Sequence, residues 1–280
     1  MGKFEKHSYC PSFDNSFVDK TLPTISITTI LELLGEPFNQ QEVAEKTFNK
    51  RFNDPTSEYF NMTVEEIIAK WQAKGAESRH YGSLNDEYIR IIFEGTEDDL
   101  EIYELDNDID SDVRLKTQID AFNEFIEDNG DKYNYIAREK TLYYRLGDFY
   151  VKGRFDALLY DKIKNKYVIV DWKTSGTINT APDNWTKKML GAAREYDAIN
   201  WNSYTMQVFF YKTALIESGY LPEGTTFDDI EVMIVNFPGT KFSNGKLYKI
   251  YRNAFDYDKT TLDKIFQFGY KKNNILSRKQ

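Results

Sequence analysis

Residues 153–175 read GRFDALLYDKIKNKYVIVDWKTS. The run Lys166–Lys173 is rich in β-branched and aromatic side chains and predicts a strand, as does Phe149–Tyr160 before it. Asp161–Asn165, between them, is short enough for a hairpin. Side chains two apart on a strand share a face, so Asp171 and Lys173 project together while Val170 and Trp172 point the other way. YVIVDWK is apolar on both faces, which predicts a central strand covered on both sides. Burying a charged pair there is costly and needs a reason. Asp156 lies inside an apolar run of its own, and pairing across the turn would bring it to Asp171 and Lys173. Two carboxylates converging near a lysine suit a hard divalent cation such as Mg²⁺. Such a cation can polarise a phosphoryl oxygen and lower the pKa of a bound water. Lys173 would orient that water or offset charge building in the transition state. The competing reading is a structural Asp–Lys ion pair, which a D-x-K tripeptide alone would favour. A strand, Gly-x-x-Asp, a turn and a second strand ending in D-x-K form a far rarer arrangement.

Outward from this stretch, Tyr135–Tyr144 predicts a further strand, joined to the next through Leu146-Gly147-Asp148. Upstream, residues 21–37 predict a short strand running into a helix that stops before Gly35 and Pro37. Residues 63–79 predict an amphipathic helix with Thr63 and Glu66 at capping-box spacing and Val64, Ile67, Ile68 and Trp71 on one face. A second helix over about 83–93 would follow a break at Gly82, and another spans about 115–128. Downstream, a polar loop at about 174–200 leads to a helix at 203–218. Strands near 230–236 and 246–251, a helix near 259–269 and a basic tail follow. No repeat or linker divides the chain, so one domain is expected over 1–280. Its helical N-terminal part runs over about 21–130 and its core over about 131–270. Strands with helices before and after them indicate an α/β or α+β sandwich.

The chain has 280 residues, and its 20 Tyr, 20 Phe and 4 Trp exclude disorder throughout. A single cysteine, Cys10, excludes an internal disulfide, a structural zinc cluster and a four-thiolate iron–sulfur cluster. With only His7 and His80, a His-rich metal site is excluded too. The net charge of −9 at first argues against nucleic acid. Residues 94–112, however, carry ten acids and no base, leaving 35 acids to 36 bases elsewhere. The acidity is local, and a basic groove remains open. The plain reading of 94–112 is a solvated acidic loop, and the sharper one a segment that mimics or repels nucleic acid near a channel. No apolar run reaches membrane-helix length. MGKFEKHSYCPSFDNSF lacks a signal peptide's apolar middle region, so a cytosolic protein is expected.

Gly153-Arg154-Phe155-Asp156 followed by Ile169-Val170-Asp171-Trp172-Lys173-Thr174 resembles the core of the PD-(D/E)XK nuclease superfamily, nearest its RecB-like exonuclease branch. Gln207-x-x-x-Tyr211 resembles that branch's Q-x-x-x-Y signature, whose two side chains share one helical face. Ile25-Ser26-Ile27-Thr28, the Thr63–Trp71 helix and Gly75–Gly82 are similar to the N-terminal region of phage and mitochondrial genome-maintenance exonucleases. Glu139 is placed like an acid often seen at the first core strand.

The resemblance implies a restriction-endonuclease-like α/β fold, a central mixed β-sheet flanked by helices with a helical N-terminal part. It implies a metal-dependent deoxyribonuclease, an exonuclease acting on DNA ends or single strands. Asp156 and Asp171 would hold Mg²⁺ or Mn²⁺ with the Trp172 backbone carbonyl, and Lys173 would position the attacking water. Gln207 and Tyr211 would contact the substrate strand or brace Lys173. The branch supplies a histidine from a Gly-Thr-x-x-His helix. Here the matching stretch is Gly82-Ser83-Leu84-Asn85-Asp86, which puts Asp86 in that place, with Glu87 and His80 as rivals. DNA is the implied partner, with recombination or replication proteins as further candidates and no membrane. The composition looks phage-like, which would place the protein in the host cytoplasm. No phosphate loop marks a linked helicase.

Three rival readings remain: an endonuclease of the same fold, a non-cleaving nucleic-acid-binding protein, and a hydrolase of another phosphoester or glycoside. Trp201, Phe209 and Phe210 would either stack on bases or fill the core, the latter preferred for the two phenylalanines. Lys187, Lys188 and Arg194, and the tail residues Lys271, Lys272, Arg278 and Lys279, are phosphate contacts or solvated charges.

Overall fold

The computed structural model describes residues 4–176, 178–184, 186–252 and 257–278; Lys279 lies outside them. In chain order the elements are β1 (Glu5–Lys6), β2 (Thr24–Ser26), α1 (Ile27–Leu34), α2 (Gln40–Arg51), α3 (Val64–Glu94), α4 (Glu97–Asn107) and α5 (Val113–Asn129). Then come β3 (Tyr133–Arg138), β4 (Thr141–Leu146), β5 (Phe149–Arg154), β6 (Ala157–Asp161), β7 (Lys166–Lys173), α6 (Asn200–Glu217), β8 (Ile230–Asn236), β9 (Lys249–Arg252) and α7 (Lys259–Ser277).

The central sheet is mixed, with strand order β1-β3-β6-β7-β8-β9. β7 pairs antiparallel with β6 and parallel with β8, and so occupies the interior that its two apolar faces predict. A smaller sheet runs β2-β5-β4. Successive side chains of β6 and β7 feed two separate cores. Leu158 and Ile169 bury against α1, α6 and α7 on one face, while Ala157, Leu159, Val168 and Val170 bury against α3 and α5 on the other.

Two long predicted strands each divide in two, and the division joins the sheets. Tyr135–Tyr144 breaks at Glu139, whose φ of 47° is left-handed, so β3 belongs to the central sheet and β4 to the small one. Phe149–Tyr160 breaks at Phe155–Asp156 between β5 and β6. Each break falls at β-poor residues, Glu139-Lys140 and Asp156, and the halves separate because they belong to different sheets.

The helices also depart from expectation. α3 is one helix of 31 residues, continuous through Gly75 and Gly82, with the Thr63–Glu66 capping box in place. Each interior glycine costs up to about 1 kcal/mol. Tyr88, Ile89 and Ile92, buried from the same helix, outweigh that. The acidic stretch is not a loop but is mostly α4. Thr96 and Asp99 form a capping box, acids fill the first turn, and Tyr103 is buried and donates to the Leu84 carbonyl at 2.9 Å. Acids at a helix N-terminus complement its dipole, which the charge reading overlooked. α2 was not foreseen, and α7 runs eight residues beyond the predicted 259–269, so Lys271 and Lys272 are helical.

Candidate active site

β6 pairs with β7 so that Ala157 lies opposite Val170, which sets Asp156 beside Asp171 at the point where the ladder ends. There the Asp156 side chain replaces a backbone acceptor: the Trp172 N–H donates to Asp156 Oδ2 at 2.7 Å. Asp171 is fully buried. Its Oδ2 lies 2.7 Å from Lys173 Nζ. Among the described residues, Asp171 Oδ1 has no hydrogen-bond partner. Lys173 Nζ also stands 4.5 Å from the ring centre of Tyr204, on α6. Trp172 points to the other face, between Phe122, Phe125 and Phe237. The alternation expected along the strand therefore holds through its polar end.

Charge at this spot is strongly perturbed. Asp156 keeps some exposed surface but is otherwise enclosed by protein. Burial, and then the neighbouring Asp171 charge, push its pKa up to about 7. Burial raises Asp171 against the opposing pull of Lys173. Burial disfavours the charged Lys173, but Asp171 and Asp156 outweigh it and raise its pKa. Two carboxylates share one ammonium, so the cluster is one positive charge short of neutrality with both carboxylates ionised. A buried carboxylate oxygen left open, Asp171 Oδ1, and a missing positive charge are what a hard divalent cation satisfies, and Asp156 and Asp171 fit one.

The exit of β7 is fastened from three elements. The Phe237 N–H donates to the Lys173 carbonyl at 2.7 Å, and Asn236 Nδ2 donates to the carbonyls of Lys173 (2.9 Å) and Ser175 (2.7 Å). Buried Asn85 of α3 donates to Gln118 Oε1 of α5 at 2.6 Å, and Gln118 Nε2 in turn reaches the carbonyls of Thr174 and Phe237, both at 3.4 Å. This polar bridge fixes the backbone beside Lys173. Sequence reasoning passed over Asn85, Gln118, Asn236 and Tyr204; no motif marks them.

Gln207 and Tyr211 share a face of α6, and Gln207 Nε2 donates to the Tyr211 hydroxyl at 2.8 Å. That hydroxyl donates to the Arg154 carbonyl at 2.7 Å, so Tyr211, itself buried, holds the end of β5 rather than Lys173. Burial, and then the Asp171 charge, raise its pKa. Gly153 permits this approach: a Cβ there would stand 2.7–2.8 Å from Phe210, Ile27 and Tyr211. A cleft of about 450 Å³ opens along this edge, lined among others by Ser26, Thr28, Lys152, Arg154 and Gln207. A larger hollow of about 690 Å³, lined by Phe38, Lys46 and Lys187 among others, contains none of these residues.

Asp86 comes near enough for its charge to push up Asp156. Its carboxylate is engaged by buried Arg138, whose Nη2 donates to Asp86 Oδ1 at 2.9 Å. Glu87 pairs with Arg90 at 2.7 Å. Because α3 is unbroken, His80 lies about 120° around the helix from Asp86, on another face. Glu139 contacts Arg138 (3.5 Å) and Arg154 (3.2 Å), and its N–H donates to the Asp156 carbonyl at 3.2 Å. Among the described residues, no group of three or more His, Cys, Asp or Glu side chains could hold a metal ion. The carboxylates the structure brings together are the Asp156–Asp171 pair.

Trp201, Phe209 and Phe210 are all buried in the core. Lys187 is paired with Glu36 and Lys188 with Asp197, and Lys272 donates to the Leu33 carbonyl. Among the described residues, no helix is long and apolar enough to cross a membrane.

No family model matches this chain, and no curated protein matches it in sequence. In structure it is similar to a "putative exonuclease" from Eubacterium rectale, a crystal structure 13% identical to it. That likeness covers 91% of this chain and 80% of the other, at a TM-score of 0.45. At that distance the likeness says nothing about chemistry, which rests on the geometry above.

Proposed function

We propose that the chain is a divalent-metal-dependent deoxyribonuclease of the RecB-like PD-(D/E)XK kind, an exonuclease acting on DNA ends or single strands. The observation that carries the reading is Asp171, a fully buried carboxylate whose Oδ2 meets Lys173 and whose Oδ1 has no partner among the described residues, set beside Asp156 at the end of a central strand. Asp156 and Asp171 would hold Mg²⁺ or Mn²⁺, with the Trp172 carbonyl alongside. Bound there, the cation would polarise a phosphoryl oxygen and make water a better nucleophile at neutral pH. Lys173, kept charged by the two carboxylates, orients the attacking water and offsets negative charge as it develops. Tyr211 holds the Arg154 carbonyl, which fixes the approach to Asp156, and Gln207 orients the Tyr211 hydroxyl. Lys152 and Arg154 along the adjoining cleft offer positive charge to a phosphate backbone.

One observation favours a second reading, a non-cleaving DNA-binding protein: Arg138 takes the Asp86 carboxylate that would enlarge the ligand set. A single experiment separates the two. Label release is followed from linear single- and double-stranded DNA with Mg²⁺, Mn²⁺ or EDTA, for the wild type, Asp171→Asn and Asp86→Ala. Short products that vanish with EDTA and in Asp171→Asn are expected; DNA binding without cleavage under either metal would leave the second reading. Closed circular DNA in the same assay, if cut, would make the enzyme an endonuclease.

A further inference from the structure

Two exposed apolar helix faces with opposite charge lie on opposite sides of the molecule. On α4, Ile102 is 58% and Leu105 76% exposed. Three apart, they share a face, and Asp98 and Glu101 sit one turn before them at i−4. Glu104 and Asp106 complete an acidic collar, and none of these four acids has an ion-pair partner among the described residues. On α7, the buried stripe of Leu262, Ile265, Phe266 and Gly269 carries on to Leu276, 44% exposed at the helix end, and Ile275, 56% exposed, flanks it a quarter-turn away. Exposed Lys271 sits one turn before Ile275 and Arg278 follows Leu276, so this end is basic, with the Lys272 ammonium turned to the Leu33 carbonyl beside it.

The two faces cannot meet within one molecule. α4 buries Tyr103 in the core shared with Val168 and Val170, on one side of the central sheet. α7 buries Leu262 and Phe266 in the core shared with Leu158 and Ile169, on the other side. A contact between unlike faces of successive copies is heterologous, and it leaves each copy with one face free unless the chain of copies closes. Two isologous contacts, by contrast, would place acidic collar against acidic collar and basic against basic, which like charges oppose.

We propose that copies of this chain associate head to tail, the α4 face of one docking on the α7 end of the next through Ile102 and Leu105 against Ile275 and Leu276. The charged collars set the orientation and speed the encounter, and the apolar pairs hold the contact. The proposal does not depend on the chemistry of the Asp156–Asp171 site.

Sedimentation velocity on the full chain over a range of concentrations tests it, with two variants. Ile102→Ser/Leu105→Ser removes the α4 face, and Ile275→Ser/Leu276→Ser removes the α7 face. All four positions are exposed, and unchanged circular dichroism and melting temperature confirm that each variant folds. The wild type should form dimers or larger species, weakened at about 1 M salt, where the Debye length falls to about 3 Å. Each variant alone should be a monomer. Mixed together they should form a one-to-one dimer and nothing larger, because one intact face of each kind remains. A monomeric wild type, assembly that survives either double substitution, or a mixture that stays monomeric would each overturn the proposal.

Discussion

Asp156 and Asp171 are set side by side where the β6–β7 ladder ends, and their cost depends on pH. The pKa of Asp156 is raised in the folded state, so between about pH 4 and pH 7 the folded protein binds more protons than the unfolded chain. Metal-free stability therefore falls as pH rises through that window. Thermal melts in EDTA from pH 5 to pH 8 should show the decline, and Asp156→Asn should flatten it. Mg²⁺ or Mn²⁺ should raise the melting temperature of the wild type more at pH 8 than at pH 5, and should not do so for Asp171→Asn. A cation that stabilised both proteins equally would place its binding elsewhere. In the sequence, the charged D-x-K on an apolar strand already signalled this pair. The Asp86–Arg138 contact was invisible, because Arg138 and Asp86 are 52 residues apart and no motif joins them.

Two glycines show how the same residue acts differently in different elements. Gly153 of β5 leaves no room for a methyl group, with Phe210, Ile27 and Tyr211 all within 2.8 Å of a Cβ. Gly153→Ala should destabilise the protein by about 1–3 kcal/mol in urea titrations and displace the Tyr211–Arg154 contact. Gly82, inside α3, would meet only Thr174 Oγ1, at 3.9 Å. Gly82→Ala should therefore stabilise by about 0.5–1 kcal/mol through helix propensity. An equal loss in both variants would mean that α3 is interrupted at Gly82. The element boundaries most legible in the sequence were those with local chemistry, such as the Thr63–Glu66 capping box and the stop at Gly35. Breaks imposed by a change of sheet, at Glu139 and at Phe155–Asp156, left only a faint local mark, the β-poor Glu139-Lys140 and Asp156.

Across the whole molecule, cohesion is uneven. β7 is paired on both edges and buried on both faces, whereas α2 makes its main contact with α3. Ala44 and Ile67 are buried, yet both lie outside the two cores that flank the sheet. Hydrogen exchange should be slowest in β7 and β8 and faster in residues 40–62 by about two orders of magnitude or more, as local opening there breaks few buried contacts. Equal protection in the two regions would show that the α2 region unfolds only with the sheet.

The sequence alone determined the strand β7, its place in the sheet's interior, the hairpin to β6 and the direction in which Asp171, Trp172 and Lys173 point. All of these follow from the two-residue period and from a turn too short for any other connection. Only the tertiary structure decided which polar groups are shared out and to whom. Arg138 captures Asp86, Tyr211 turns to the Arg154 carbonyl, and Asn85 and Gln118 reach across from two helices to fasten the end of β7. Buried polar atoms must find partners, and those partners are set by which elements pack together in space.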